Sequence, residues 1–164
     1  AKAAGVPLKI AAKMREAPER EYFEQMVKPH LDSDIEYLGE LGPKDKLELL
    51  SGASALLNPI RWPEPFGMVM IESMACGTPV IVFPSGAAPE IVTDGLTGFV
   101  CKDEREMVKA IGRIPEISRR ACRFEIDQSF SMQRMTKDHV EFYAKTLAEN
   151  NAIDLQQSVL SLKG

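Results

Sequence analysis

Apolar residues along this chain occur in short β-branched runs separated by longer segments with helical spacing. The short runs predict strands, because the buried strands of a parallel sheet read as continuous apolar stretches. They lie at residues 8–12, 35–39, 55–59, 79–83 and 98–100. Strands that alternate with helices predict a parallel sheet with helices on both faces, which is an α/β fold of the Rossmann-like, doubly wound type.

Helices are predicted between and after these strands. One of them begins at Pro43, since proline is favoured in the first turn of a helix, and its Leu47, Leu49 and Leu50 are expected to pack into the core. The polar stretch 151–164 is predicted to be a flexible tail. A mixed helical segment is predicted over residues 19–28, before Pro29, and the other predicted helices cover residues 104–112, 115–124 and 131–149.

Residues 63–79 join a stiff loop, a helix and a buried strand. Two prolines flank Glu64 and hold it in an extended conformation. Gly67 then opens a helix that ends at Gly77. The first amides of a helix have no intrahelical partners and carry the positive end of the helix dipole. This helix start is therefore a candidate receptor for phosphate or sugar oxygens.

Two carboxylates accompany this helix start. Glu64 precedes the helix and Glu72 lies along it, so one can reach a sugar at the mouth of the helix while the other accepts hydrogen bonds from a ribose diol. The alternative is that both are ordinary solvated acids. The prolines, the aromatic ring of Phe66 and the glycine around them favour the binding interpretation.

The topology of a parallel sheet predicts which loops share this site. Such sheets bind ligands at the carboxyl ends of their strands. We therefore expect the loops at residues 39–41, 64–69 and 85–90 to converge on one cleft.

Composition excludes several classes of function. The chain has 164 residues, 45% of them apolar and 27% charged, which suits a soluble globular domain. A net charge of −4 argues against nucleic acid as a partner. The three cysteines are too scattered for a zinc site and fit no disulfide framework. They are expected to be packed thiols in a protein of a reducing compartment.

Other catalytic patterns are missing from the sequence. His30 and His139 have no cysteine or acid at metal-ligand spacing, so no metal site is predicted. The chain has no Gly-x-Ser-x-Gly elbow of a serine hydrolase and no Gly-x-Gly-x-x-Gly fingerprint of a dinucleotide-binding protein.

The central stretch resembles the signature of a known family. Glu64-Pro65-Phe66-Gly67, followed by Glu72, and residues 74–81 (Met-Ala-Cys-Gly-Thr-Pro-Val-Ile) are similar to that of the retaining nucleotide-sugar glycosyltransferase family 4, also called group 1. Residues 85–92 and 94–99 resemble the segments that follow it. The resemblance implies the GT-B fold, in which two Rossmann-like domains face each other across a cleft. This chain resembles the C-terminal half, which binds the donor.

The resemblance also implies what the chain lacks. Family members have a further strand, a glycine-containing turn and a helix before the point that matches residue 1, so the first βα unit is expected to be absent. That unit carries the basic residues that neutralise the donor diphosphate, and an N-terminal domain binds the acceptor. We therefore expect this chain to be a fragment that exposes apolar surface and is inactive by itself.

The family's functional residues fall on named positions of this sequence. Glu64 matches the catalytic position at the donor sugar, where it positions the sugar and supports its developing positive charge. Glu72 matches the glutamate that holds the ribose hydroxyls. The backbone at Phe66, Gly67, Met68 and Val69 matches the amides that bind the donor sugar and diphosphate.

Two further groups of residues follow from the resemblance. Gly86, Ala87 and Glu90 match the loop near the donor, although the family usually has two adjacent glycines where this chain has Gly86 and Ala87. The turn that matches the base-binding loop comprises Gly39, Glu40 and Leu41. Lys46 also matches a base-contacting position, and for it we favour a solvated helix lysine.

Trp62 is either a stacking platform for a sugar or a loop anchor, and we favour the loop anchor.

The function implied is transfer of a sugar, of the hexosyltransferase type, from a nucleoside-diphosphate sugar to an unknown acceptor, with retention and without a metal or other cofactor. A non-catalytic nucleotide-sugar-binding or partner module and a GT-B enzyme that epimerises or phosphorolyses are the alternatives. The expected location is the cytoplasm, with peripheral association at the inner membrane face left open. We expect a nucleotide-sugar-binding domain over residues 1–128 and a C-terminal helix and tail over 129–164.

Overall fold

The computed structural model describes the backbone of residues 1–161 and the side chains of residues 1–150. The chain divides into two compact units, Ala1–Phe124 and Glu125–Gly164. The first unit contains all the strands of the described residues. The domain boundary expected at residue 128 stays a prediction.

Five strands form where the apolar runs predict them, and every pairing between them is parallel. The register places Leu8 opposite Ile35, Leu56 opposite Val80, and Val80 opposite Gly98. This confirms the α/β fold class. The strands are β1 (Leu8–Ala11), β2 (Ile35–Gly39), β3 (Leu56–Asn58), β4 (Val80–Val82) and β5 (Gly98–Val100).

These strands form two sheets, β1–β2 and β3–β4–β5, rather than one continuous sheet. In a doubly wound sheet the strands lie in the order 3-2-1-4-5-6, so the first strand separates the second from the fourth. The break between β1 and β3 falls at that position. It agrees with the expectation that the first βα unit is absent from this chain.

Seven α-helices accompany the strands in the described part of the chain. The mixed helical segment predicted over 19–28 is α1 followed by a wide π turn (Phe23–Val27) and a tight 3-10 turn (Lys28–His30). Pro29 explains the irregularity, since it has no amide and its ring obstructs the carbonyl four residues earlier. The helices are α1 (Ala17–Tyr22), α2 (Pro43–Gly52), α3 (Met68–Ala75), α4 (Ala88–Ile91), α5 (Glu104–Arg113), α6 (Arg119–Ser129) and α7 (Met132–Ser161).

Two predicted helix boundaries are wrong. The helix expected from residue 115 begins at Arg119, because Pro115 lies in a 3-10 turn and Ile117 then adopts an extended conformation. The last helix was expected to end near Glu149, but α7 continues to Ser161. The stretch predicted as a flexible tail is therefore helical as far as Ser161, and residues 162–164 lie outside the described residues.

The core of the first unit surrounds the three-stranded sheet. Met68, Met70 and Met74 of α3 are predicted to serve core packing. Met70 and Met74 are fully buried, as are all three residues of β4, but Met68 is 60% exposed, so the prediction is wrong for it. The expectation that Leu47 packs into the core is wrong, because its side chain is 57% exposed. The buried side of α2 is centred on Lys46, which lies between Leu49 and Leu50 around the helix. Leu47 lies about 100° round the helix from Lys46, and its side chain therefore falls outside the buried side.

The three cysteines are free thiols. Cys101 and Cys122 are buried and Cys76 is half-buried, as expected for packed thiols. Burial, together with the nearby carboxylates of Glu106 and Asp94, raises the pKa of Cys101 to about 11. In the part of the chain that the structure describes, no helix is both long enough and apolar enough to cross a membrane.

Candidate functional site

The site is built around the start of α3, where Gly67 adopts a left-handed conformation with φ of +80°. A side chain on Gly67 would collide with the methyl group of Met70 and approach Cγ of Glu64 to 3.4 Å. Its carbonyl accepts a hydrogen bond from the Met70 amide at 3.0 Å. Glycine adopts this conformation without strain, and its missing side chain leaves room for Met70 and Glu64.

The amides at this helix start are available to a ligand. No group among the described residues accepts a hydrogen bond from the amides of Gly67, Met68 or Val69. The side chains of Phe66 and Met68 are 46% and 60% exposed, so this surface is open. The positive end of the α3 dipole adds to the attraction for an anion or a sugar hydroxyl oxygen.

The loop after β4 packs against the loop that carries Glu64. The Ala87 amide donates to the Glu64 carbonyl at 2.9 Å, and Ser85 Oγ donates to the Trp62 carbonyl at 3.0 Å. Gly86 has φ of +56°, and a Cβ there would collide with the Glu64 carbonyl oxygen and lie 2.8 Å from the Pro63 carbonyl carbon. The structure thus confirms that these two loops converge.

The position where the family has a second glycine tolerates alanine in this chain. Ala87 has a φ of −74°, an ordinary value for any residue, so only Gly86 requires the special conformation. Glu90 follows in the short helix α4, where its side chain is exposed to solvent.

Glu72 and Lys46 form an ion pair, with Lys46 Nζ 2.6 Å from Glu72 Oε1. Lys46 lies in the first turn of α2 and Glu72 in the middle of α3. The interpretation of Lys46 as a purely solvated lysine is therefore wrong. Sequence reasoning missed the pair because the two residues are far apart along the chain and lie on different helices.

The predicted base-binding turn follows β2. Gly39 has a positive φ of +76°, and its carbonyl accepts a hydrogen bond from the Ala12 amide at 3.1 Å. Arg15 donates to Glu40 Oε1 at 2.8 Å. These contacts join the loops after β1 and β2, and the convergence of residues 39–41 with the loops around Glu64 stays a prediction.

In the loop before Glu64, the environment of Trp62 differs from the sequence prediction, and Arg61 makes contacts that the sequence did not predict. The side chain of Trp62 is 55% exposed, so the prediction that it is a buried loop anchor is wrong. The guanidinium of Arg61 stacks over the Phe83 ring, 4.7 Å from the centroid, and pairs with Glu104. Sequence reasoning gave Arg61 no role, and only its place in the loop after β3 signals its closeness to the site.

No group of three or more histidine, cysteine, aspartate or glutamate side chains in the described residues is arranged to hold a metal ion. Independence of a metal stays a prediction, as do the roles of the individual site residues. What the geometry provides is a helix start with unpartnered amides, a carboxylate at its mouth and a second, lysine-paired carboxylate along the same helix.

Comparisons with known proteins assign the chain to a family. The sequence pattern of the family described as Glycosyl transferases group 1 matches residues 2–116. The chain is 32% identical over 113 residues to D-inositol 3-phosphate glycosyltransferase of Salinispora tropica, an alignment that covers 65% of this chain and 23% of the relative. The chain therefore spans about a quarter of the length of that relative.

Solved structures show the same fold. The chain superimposes on sucrose-phosphate synthase of Thermosynechococcus elongatus with a TM-score of 0.75 at 24% identity, over 90% of this chain and 41% of that one. It superimposes on HepE of Anabaena in complex with UDP and glucose with a TM-score of 0.71 at 21% identity, over 87% and 42%. The chain thus has the fold of part of a GT-B protein, over less than half the length of each of these two. The chain belongs to the group 1 glycosyl transferases.

Proposed function

We propose that this chain is the donor-binding part of a retaining glycosyltransferase that moves a sugar from a nucleoside-diphosphate sugar to an acceptor. The observation that carries the proposal is the helix start at Gly67, whose unpartnered amides lie beside Glu64. Membership of the group 1 glycosyl transferases supports the same reaction class. That HepE of Anabaena was crystallised with UDP and glucose supports a nucleotide sugar as the donor.

In the proposed reaction the bond between the anomeric carbon and the diphosphate oxygen breaks, and the acceptor oxygen bonds to that carbon from the face that the diphosphate leaves. The acceptor proton passes to the departing diphosphate. The amides of Phe66, Gly67, Met68 and Val69 hold the sugar and diphosphate oxygens and stabilise the negative charge that develops there. Glu64 positions the sugar and stabilises its developing positive charge, without forming a covalent intermediate.

The remaining predicted residues bind the rest of the donor. Glu72 accepts hydrogen bonds from the ribose diol, and Gly39, Glu40 and Leu41 lie towards the base. Gly86, Ala87 and Glu90 form the loop near the donor sugar, and the contact between Ala87 and Glu64 supports that placement. Exposed Trp62 offers an aromatic face beside Glu64, and stacking on a sugar is its proposed role.

The whole protein is proposed to bind its acceptor through a domain other than this chain and to act in the cytoplasm or at the inner membrane face. Basic residues elsewhere in it are proposed to neutralise the donor diphosphate, and the sugar is proposed to be a hexose. We propose that the reaction requires no metal or other cofactor.

Changing Glu72 tests the donor site. In the whole protein, Glu72→Ala should raise the donor Michaelis constant about 10- to 100-fold, because a hydrogen bond to a charged group contributes about 1.5–3 kcal/mol. Glu48→Ala, which removes an exposed acid from α2, is the matched control and should leave that constant unchanged. Equal Michaelis constants for Glu72→Ala and the unchanged protein would contradict the ribose-binding role.

Product analysis separates the alternatives. The whole protein is incubated with UDP-, GDP- and ADP-sugars and a panel of acceptors in EDTA, and the products are analysed by nuclear magnetic resonance. Transfer with retained anomeric configuration supports the proposal, and loss of transfer in EDTA contradicts metal independence. Donor binding without turnover identifies a non-catalytic module, whereas an epimerised or phosphorolysed product identifies the third alternative.

A further inference from the structure

The ion pair between Lys46 and Glu72 joins two helices that begin beside the carboxyl ends of strands. Helix α2 follows β2 and helix α3 follows β3, and ligands of parallel sheets bind at this edge. Lys46 lies in the first turn of α2, where its amide donates to the Gly42 carbonyl at 2.9 Å. Its backbone is thus fixed by the start of the helix, next to the turn predicted to meet the base.

The pair holds one carboxylate oxygen of Glu72 and leaves the other open. Lys46 Nζ lies 2.6 Å from Oε1, and no group in the described part of the chain donates a hydrogen bond to Oε2. The two side chains are 43% and 32% exposed, so the pair lies at the surface, where a ligand can reach it. A glutamate that is free to rotate would have to be ordered when the ligand binds, at a cost in affinity.

We propose that Lys46 is a positioning residue, which fixes Oε1 of Glu72 so that Oε2 faces the ribose diol of a nucleoside diphosphate. This inference rests on the proposed function, in which Glu72 binds ribose. In this role Lys46 affects ligand binding by holding Glu72. It neither contacts the base nor points freely into solvent. The role predicts that Lys46 affects affinity only for nucleotides that carry ribose hydroxyls and only while Glu72 is present.

The test measures nucleotide binding to the whole protein by calorimetry, with UDP and 2′,3′-dideoxy-UDP as probes. Lys46→Met should weaken UDP binding about three- to fivefold, since a partly exposed ion pair contributes up to about 1 kcal/mol. Binding of the dideoxy probe should not change. Lys46→Arg should retain most of the affinity for UDP, because it keeps a cation that reaches the carboxylate.

A double-mutant cycle assigns the effect to Glu72. In the Glu72→Gln background, Lys46→Met should cause no further loss of UDP affinity. Lys44→Met, which removes another exposed lysine from the same helix turn, should bind both probes as the unchanged protein does. Urea unfolding of each variant checks that the fold is retained.

Three results would overturn the inference while leaving the proposed function in place: equal weakening of both probes by Lys46→Met, no weakening of either, or a further loss in the Glu72→Gln background. Failure of the proposed function gives a different pattern of nucleotide binding. In that case the unchanged protein binds none of UDP, GDP and ADP, or Glu72→Gln leaves the preference for UDP over the dideoxy probe unchanged.

Discussion

Gly86 illustrates how a single residue without a side chain brings two loops of the site together. Its φ of +56° is one that other residues avoid, and the space where a Cβ would lie is occupied by the backbone of Pro63 and Glu64. The sequence marks Gly86 as a place of close backbone approach. The direction of the strands predicts that this loop converges with the loop of Glu64, and the structure adds which backbone atoms Gly86 meets.

Gly86→Ala should therefore destabilise the chain more than an ordinary glycine substitution. Gly95→Ala is the matched control, because Gly95 has φ of +74° but nothing within 4 Å of the added Cβ. Both changes strain the backbone by about 1–2 kcal/mol, and Gly86→Ala adds a collision that costs about 1–3 kcal/mol more. Urea unfolding of the two variants measures the difference, and equal destabilisation would show that the two loops separate without cost.

At the scale of elements, Arg119 at the start of α6 ties together the ends of two other helices. The last carbonyls of a helix have no partners within it. The Arg119 guanidinium donates to the carbonyls of Ala53 and Ser51 at 2.7 and 2.8 Å, at the end of α2. It also donates to Thr78 Oγ1 at 2.7 Å, just beyond α3. One side chain thus holds α2 and the segment after α3 in fixed relation.

Arg119→Met should lower the free energy of unfolding by about 1.5–3 kcal/mol, the range for hydrogen bonds from a charged group. Arg119→Lys should recover only part of this loss, because a lysine ammonium cannot reproduce the planar fork of donors. Arg105→Met, at an exposed position of α5, provides the control. Chemical denaturation of the three variants tests this, and a loss no larger than that of Arg105→Met would contradict the role of Arg119.

At the scale of the first unit, the two sheets differ in how far the residues of their strands are buried. No residue of β1 is buried, whereas every residue of β4 is fully buried between two parallel neighbours. A two-stranded sheet is marginally stable in water, and a covered three-stranded sheet is more stable. Leu8 and Ile10 of β1 are only half-buried and Ala11 is exposed, which agrees with the expectation of exposed apolar surface.

Hydrogen exchange of the isolated chain should reveal this difference. Amides of β4 should exchange only on global unfolding, while those of β1 and β2 should exchange through local opening at lower free energy. Mass spectrometry of peptides that cover the two sheets measures both rates. The same peptides in the whole protein serve as the comparison, and equal protection of the two sheets in the isolated chain would contradict the prediction.

Much of the fold was predictable because its signals are local. The strand of residues 35–39 is found at the predicted bounds, and the helix from Met68 to Ala75 begins and ends beside the two glycines that indicate its limits. Predictions failed where a proline acts on its surroundings, as at Pro115, or where burial depends on helix orientation, as for Leu47. At the site, the approach of the loop at Gly86 to Glu64 was predictable from strand direction alone.

The sequence by itself determined the α/β class, the helix start at Gly67 and the family, because propensities, glycine positions and contiguous motifs are all properties of neighbouring residues. Tertiary structure alone decided that Lys46 pairs with Glu72, that Arg15 pairs with Glu40 and that Trp62 is exposed. These facts depend on distances between segments far apart in the chain. Such distances are set when the helices and loops pack against each other, and no pattern of adjacent residues predicts them.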